Sequence, residues 1–416
     1  MSFFTPGPSH RIRWGGLVLL SLVLLSGCAG DYVARTRGVR MAYQSEDYAR
    51  ALDALEAAAK AGVEKDRLLV LLDKGMVLHS AGQWTESNTV LEQAERLSEQ
   101  LDAVSVSEEA GALLTNERQR AYRGEDFEKL MISVLQALNY AELGEDESAM
   151  VEVRQVNDRL EKMVSDEKKS YEQLAIARYL GGVLREDQRD WDGAYIDYAK
   201  AYALESWPGA LVEPLLRVAK QAGRDDAYAE LLQKYPDVPH APLAPGESQL
   251  VVVVEAGLSP EKQSASRDSD GGNLIEVPAY RDRGSAPVVR VSLGEESQRA
   301  VTVTSIANVA RVHLNERLGR MLAKQLAGVA VKAGLAAGIG ALTKSDEAGV
   351  LTFLLLNAVN APDLRSWLSL PAEFQVARFR VKGGSHTVRV EAHGRTTEHT
   401  VDVKPGRVGV IVVRRY

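Results

Sequence analysis

Leu71-Leu72-Asp73-Lys74-Gly75-Met76-Val77-Leu78-His79-Ser80-Ala81-Gly82-Gln83-Trp84 decides how the first half of the chain folds. Leucines at helical spacing flank Gly75, Ala81-Gly82 makes a turn, and Trp84 opens a second helix that runs on through Ser87, Leu91 and Ala94. Two helices approach closely only where one presents a small residue, and an aromatic side chain fills the space left beside it. The same register returns at Ala137, Tyr140, Gly144 and Ala149, and again at Gly182, Trp191, Ala194, Tyr198 and Ala201. Weaker copies are Tyr48, Ala51, Leu55 and Ala58, then Ala219, Gly223, Tyr228 and Leu232. Spacing between copies is irregular, and Glu108–Leu138 is expected to supply an extra helical stretch.

This register resembles the tetratricopeptide (TPR) repeat, and it predicts an N-terminal TPR-like α-solenoid over 38–235. An ordinary helical bundle with scattered alanines is the alternative. Stacked repeats bury nearest-neighbour contacts and leave a concave groove that serves as a protein-binding surface. Gly75, Trp84, Tyr140, Gly144, Gly182 and Trp191 are the candidate residues that shape such a partner groove.

The N-terminus carries an address. Arg11 and Arg13 precede an apolar run from Trp14 to Leu25, too short for a comfortable membrane span and suited to a signal-peptide h-region. It ends in Leu25-Ser26-Gly27-Cys28, which resembles a lipobox, with cleavage between Gly27 and Cys28 and lipid on the Cys28 thiol. Cys28 is the one cysteine in 416 residues, so no structural disulfide is available. Ala29 after it, by resemblance to enterobacterial sorting rules, points to the inner leaflet of the outer membrane, facing the periplasm. Residues 1–27 are thus expected to be a leader and 28–37 a lipidated tether.

Pro236, Pro239, Pro242 and Pro245 recur every third residue, the period of a stiff polyproline II segment, and 236–248 reads as a linker between domains. Beyond it, short β-type runs bounded by Gly, Pro and Asp predict a β-sandwich-like domain over 249–416. The expected strands are Gln249–Glu255, Leu274–Val277, Val288–Leu293, Ala300–Thr304, Phe374–Val381, His386–Glu391, Thr396–Val403 and Val408–Arg414. Gly383–Val390 with Lys404-Pro405-Gly406 resembles the hairpin pattern of PEGA-type modules, and polar Ser259–Gly272 reads as a long mobile loop. Within this domain, 309–360 reads as an inserted apolar helical hairpin. Gly334-x-x-x-Gly338 there permits close helix–helix approach, and both glycines are candidates for helix packing or oligomerisation. An internal hairpin on the sheet, a self-association surface and a membrane-contacting hairpin remain open. Lys332 and the shortness of the second apolar run count against a span.

The formal charge is −7, and losing Arg11 and Arg13 with the leader would make it −9, which with no basic stripe argues against nucleic acid. A hydrophobic content of 45% indicates a folded chain. His393 and His399 could approach across adjacent strands, but no carboxylate or cysteine is spaced to complete a metal site. The glycine run 328–340 lacks the preceding strand and the Gly-Lys-Ser/Thr end of a phosphate loop, and no nucleophile elbow is present. No cofactor and no catalysis are implied.

Tyr122-Arg123-Gly124-Glu125-Asp126-Phe127-Glu128, Ala137-Leu138-Asn139-Tyr140 and Ala149–Gln155 resemble an uncharacterised family of Gram-negative TPR-type lipoproteins. Asp363-Leu364-Arg365-Ser366-Trp367 with Leu370-Pro371-Ala372 is similar to the same family's C-terminal signature. The resemblance implies an α+β multidomain architecture and no reaction. The expectation is a non-enzymatic scaffold, membrane-bound through its lipid and open to self-association. Its groove would bind an envelope protein, while its β-domain would hang free beyond the spacer. The alternative is a glycan- or peptidoglycan-binding module carried on a helical spacer.

Overall fold

The computed structural model describes residues 32–62, 64–108, 120–165, 174–204, 210–268, 274–318 and 362–416. The lipobox, with Gly27 and Cys28, and most of the apolar insert, with Gly334 and Gly338, lie outside the described residues.

The helical half comprises α1 (Tyr32–Arg35), α2 (Arg37–Gln44), α3 (Tyr48–Lys60), α4 (Arg67–Ser80), α5 (Trp84–Glu108), α6 (Asp126–Leu143), α7 (Asp146–Ser165), α8 (Ala175–Asp187), α9 (Trp191–Leu204), α10 (Val212–Gln221) and α11 (Asp225–Lys234). Helices α2/α3, α4/α5, α6/α7, α8/α9 and α10/α11 pair as hairpins, and each hairpin packs on the next. This is a TPR-like array. The expected helix over Glu108–Leu138 is corrected in part: residues 121–125 are not helical, and α6 starts at Asp126. A capping box explains the start, because the Glu125 side chain accepts from the Glu128 amide while the Glu128 side chain accepts from the Glu125 amide. The helix stops at Gly144, whose φ of 71° is a left-handed cap that side-chain-bearing residues resist.

The β-half holds β1 (Glu247–Ala256), β2 (Glu261–Asp268), β3 (Leu274–Arg281), β4 (Arg290–Leu293), β5 (Glu296–Arg299), β6 (Val301–Ser305), a helix α12 over 306–318, β7 (Glu373–Lys382), β8 (Gly384–Ala392), β9 (Arg395–Val403) and β10 (Val408–Arg415). One sheet runs β10-β1-β7-β6, with β1 and β10 parallel; a second runs β5-β4-β8-β9; β2 and β3 form a separate two-stranded arm. The expected mobile loop at Ser259–Gly272 is corrected, since β2 occupies its middle and pairs antiparallel with β3. β5 also escaped the sequence reading. Glu-Lys-Gln-Ser-Ala-Ser-Arg-Asp and Glu-Ser-Gln-Arg carry no apolar alternation, so nothing in them signals a strand.

Strand β1 shows how the halves join. Val251 and Val253 enter a core shared with α2–α10, with Val303, Phe374, Val376 and Val412. Leu250, Val252 and Val254 enter a second core against Val291, Val388 and Val390 of the other sheet. A sheet covered on both faces needs apolar side chains at every position, which is why β1 reads as an unbroken run. The first sheet therefore lies between the helices and the second sheet. The picture of a β-domain hanging beyond a stiff spacer is overturned, because the halves share one core. The proline segment lies along the surface, with His240 bonded to Tyr228 and the Ala241 carbonyl bonded to Arg380.

Candidate functional site: the concave face

The first helices of the hairpins line the concave side. Twelve of the eighteen residues of α6 and twelve of the thirteen of α8 are buried, around their whole circumference. A surface helix buries one stripe. Total burial means that these helices are covered on the inner side too, and what covers them is the chain's own sheet.

Five of the six repeat residues pack within the hairpins, and Gly144 forms the α6–α7 turn with open space beside it. A Cβ on Gly75 would lie 2.5 Å from Leu91 of α5, and one on Gly182 would lie 2.6 Å from the Tyr198 ring of α9. Ser87 bonds the Gly75 carbonyl at 2.9 Å and locks that crossing. Trp84 opens α5 and meets His79 edge-on at 5.1 Å, while Trp191 opens α9 and packs half-buried on the core. Tyr140 is half-buried on α6, four residues before its Gly144 cap. Together they shape the hairpins from within and do not converge on one open surface.

Polar groups on the concave side meet partners from the β-half. His79 Nδ1 faces Asn139 Oδ1 at 2.5 Å, and Nε2 faces Glu255 Oε1 of β1 at 3.1 Å. Asn139 is oriented by its amide nitrogen, which donates to Ser87 and Asn88. Both ring nitrogens of His79 therefore face acceptors, as an imidazolium requires. Burial alone would expel the proton, but the Glu255 carboxylate and the two hydrogen bonds outweigh it and raise the His79 pKa above its ordinary value. Burial pushes Glu142 up to about 7, with the Val412 amide and His79 pulling it back.

A second cluster lies on α8. Arg378 of β7 reaches Glu186 at 2.5 Å and Tyr198 at 2.9 Å, and Arg217 of α10 pairs with the same carboxylate. Burial opposes ionisation of Glu186, yet the two guanidiniums hold it down at about 2. The outer edge of β10 is covered as well. Its Val408 amide donates to Asp187 at 2.7 Å and its Val412 amide to Glu142, so helix carboxylates occupy what would be an open sheet edge.

Residues 362–372 fill the rest. This irregular segment threads between α2–α6 and the β2–β3 arm. Arg365 forks onto Asp363 and reaches Asp66 at 2.9 Å. The Trp367 amide donates to Glu128 at 2.7 Å, and the Ser369 hydroxyl donates to Asp73 at 2.6 Å, where Tyr32 also donates. From the other side, Lys262 holds the Arg365 carbonyl and Ser259 the Trp367 carbonyl. Trp367 is 1% exposed. Burial raises the pKa of Asp73 and of Glu128, although these hydrogen bonds pull the other way. The concave face is thus not the open partner groove that the repeats predict. It is filled by the first sheet and this strap, and His79, Glu128, Asn139 and Glu186, which a free groove would offer to a partner, are bonded within the chain.

His393 lies in the β8–β9 turn with φ 49° and bonds the Tyr416 carbonyl, whereas His399 on β9 bonds Thr397, so the two do not form a site. Among the described residues, no group of three or more metal-ligating side chains comes together. Among them, no helix is long and apolar enough to cross a membrane.

No family model matches the chain, and no curated protein does. Solved structures share it loosely. A MamA structure is 16% identical with a TM-score of 0.33, over 49% of this chain and 88% of that one. A tetratricopeptide repeat protein from Parabacteroides merdae is 16% identical at 0.33, over 50% and 67%. The apo form of RapI is 11% identical at 0.37, over 54% and 58%. The TPR-like assignment rests on the chain's own hairpins and crossings.

Proposed function

We propose that this chain is a non-enzymatic, lipid-anchored scaffold of the bacterial envelope that binds a protein partner while facing the periplasm. Cys28 would carry the lipid, and the sequence after it favours the outer membrane. One observation carries the scaffold reading: the chain builds a stack of helical hairpins, an architecture made of binding surface. Because the concave face is filled, the partner meets the outer helices or the β-sandwich. Permanent anchoring follows from the acyl chains, at about 0.8 kcal/mol per buried methylene.

Metabolic labelling with an alkynyl fatty acid tests the anchor. Wild-type protein takes the label and sediments with membranes, and Cys28→Ser abolishes both. Retention of label in that variant refutes the anchor. Affinity purification of the full-length protein, solubilised in detergent, tests the scaffold: a stoichiometric protein partner supports it. Co-sedimentation with purified peptidoglycan and no protein partner would replace it with glycan binding.

A further inference from the structure

Strand β6 ends the first sheet, and its outer side opens into a cavity of about 1150 Å³. Among the described residues no backbone hydrogen bond reaches Val301–Ser305 from that side. The opposite wall is the segment 284–288, which ends at Val288, an aliphatic side chain 61% exposed. A strand edge facing a slot that no described residue fills has the donor and acceptor pattern of a missing strand.

Two further features bear on what fits there. Gln375 of β7 lines the cavity and is 5% exposed; its amide nitrogen donates to the Pro287 carbonyl and to Glu373, and its carbonyl oxygen is buried without a hydrogen-bond partner. A buried acceptor left this way calls for a donor such as a peptide N–H. Two charges line the slot. Arg299, before β6, is among its lining residues and makes no ion pair among the described residues. Glu373 of β7 turns its carboxylate to the Thr302 hydroxyl and the Gln375 amide and meets no cation among the described residues. From 299 to 302 is three residues, roughly 10 Å of extended chain.

We propose that this cavity is a strand-addition site, and that its occupant is an extended segment of a partner protein bearing an acidic residue against Arg299 and a basic residue about three positions away against Glu373. The edge of β6 supplies main-chain hydrogen bonds, the Gln375 carbonyl accepts one peptide amide, and Val288 packs on an outward side chain. This deepens the scaffold reading and rests on it, for it names where and how a protein partner is held.

The test pans a randomised decapeptide library displayed on phage against the full-length protein in detergent. Enriched sequences should carry an acid and a base about three residues apart. Their synthetic peptides should slow deuterium exchange in Val301–Ser305, and Arg299→Glu, an exposed position, should weaken them at least tenfold. The double variant Arg299→Glu with Glu373→Lys should select the reverse charge order. Peptides that bind Arg299→Glu unchanged, protection elsewhere, or no enrichment would overturn the site. If affinity purification nevertheless yields a stoichiometric partner, the scaffold reading survives the loss of this site; if neither yields a ligand, both fall.

Discussion

The two faces of β1 meet their neighbours in different ways. Toward the second sheet, Leu250, Val252 and Val254 pack on valines and Phe379, and the buried charge on that side is Arg415 at the end of β10, which reaches the Val390 carbonyl. Toward the helices, Val251 and Val253 are flanked by Gln249, bonded to Arg217 and Arg378, and by Glu255, paired with His79. An apolar face gains from burial in proportion to area and tolerates many arrangements of similar volume. A buried ionic face gives little net stability, because desolvation offsets attraction, but it penalises every misplacement of one partner. The sandwich face thus supplies strength, and the helical face fixes where the sheet sits in the solenoid.

The largest expected effect comes from removing one side of that comparison. Residues 28–235 alone would expose the inner surfaces of α4, α6 and α8, with Glu186 stripped of Arg378 and His79 stripped of Glu255, so this fragment should show no cooperative thermal transition, while the full chain does. A sharp transition in the fragment would mean that the helices need no sheet. Next, His79→Leu leaves Glu255 buried and unpaired and should cost about 3–5 kcal/mol in denaturant unfolding, whereas His79→Leu with Glu255→Met should recover most of it. On the other face, Leu250→Ala should cost about 2–5 kcal/mol, and no partner substitution at the helices should restore it. Rescue of that variant by a helix substitution would erase the distinction between the faces.

Acidity sharpens it further. His79 has a raised folded pKa, so its contribution is complete below about 6.5, the unfolded value, and is lost as pH rises through the folded value. Glu142, at about 7 in the folded state against 4.5 for the free group, also loses stability as pH climbs from 4.5 through 7. Glu186 works in the opposite direction: its contribution is present above 4.5 and disappears as pH falls toward 2. Melting temperature should therefore decline on both sides. His79→Gln should flatten the alkaline limb, at about 1.4 kcal/mol per unit of pKa shift removed, and leave the acid limb unchanged.

Sequence periodicity reached the hairpins because each depends on neighbours a few residues apart. Gly75 against Leu91 and Gly182 against Tyr198 are such pairs, and both were readable from spacing. It could not show that the concave face is filled. The partners there lie far apart in sequence, as with His79 and Glu255 or Glu128 and Trp367, and no local pattern announces a long-range contact. The similarity of Asp363–Trp367 to a family signature marked the strap as notable without revealing its place. Polar strands β2 and β5 were missed because pairing, not alternation, holds them. The cavity beside β6 had no sequence signal at all.

The central claim is that the chain's own sheet occupies the solenoid. The amide of Ile176 on α8 donates to the Thr304 hydroxyl of β6 at 2.8 Å, so the two residues are in direct contact. Thiol titration of Ile176→Cys/Thr304→Cys in a Cys28→Ser background, after mild oxidation, measures that contact directly. The filled solenoid predicts loss of both thiols with no change in molecular mass beyond two hydrogens. Two free thiols that alkylate rapidly in the native protein would contradict it.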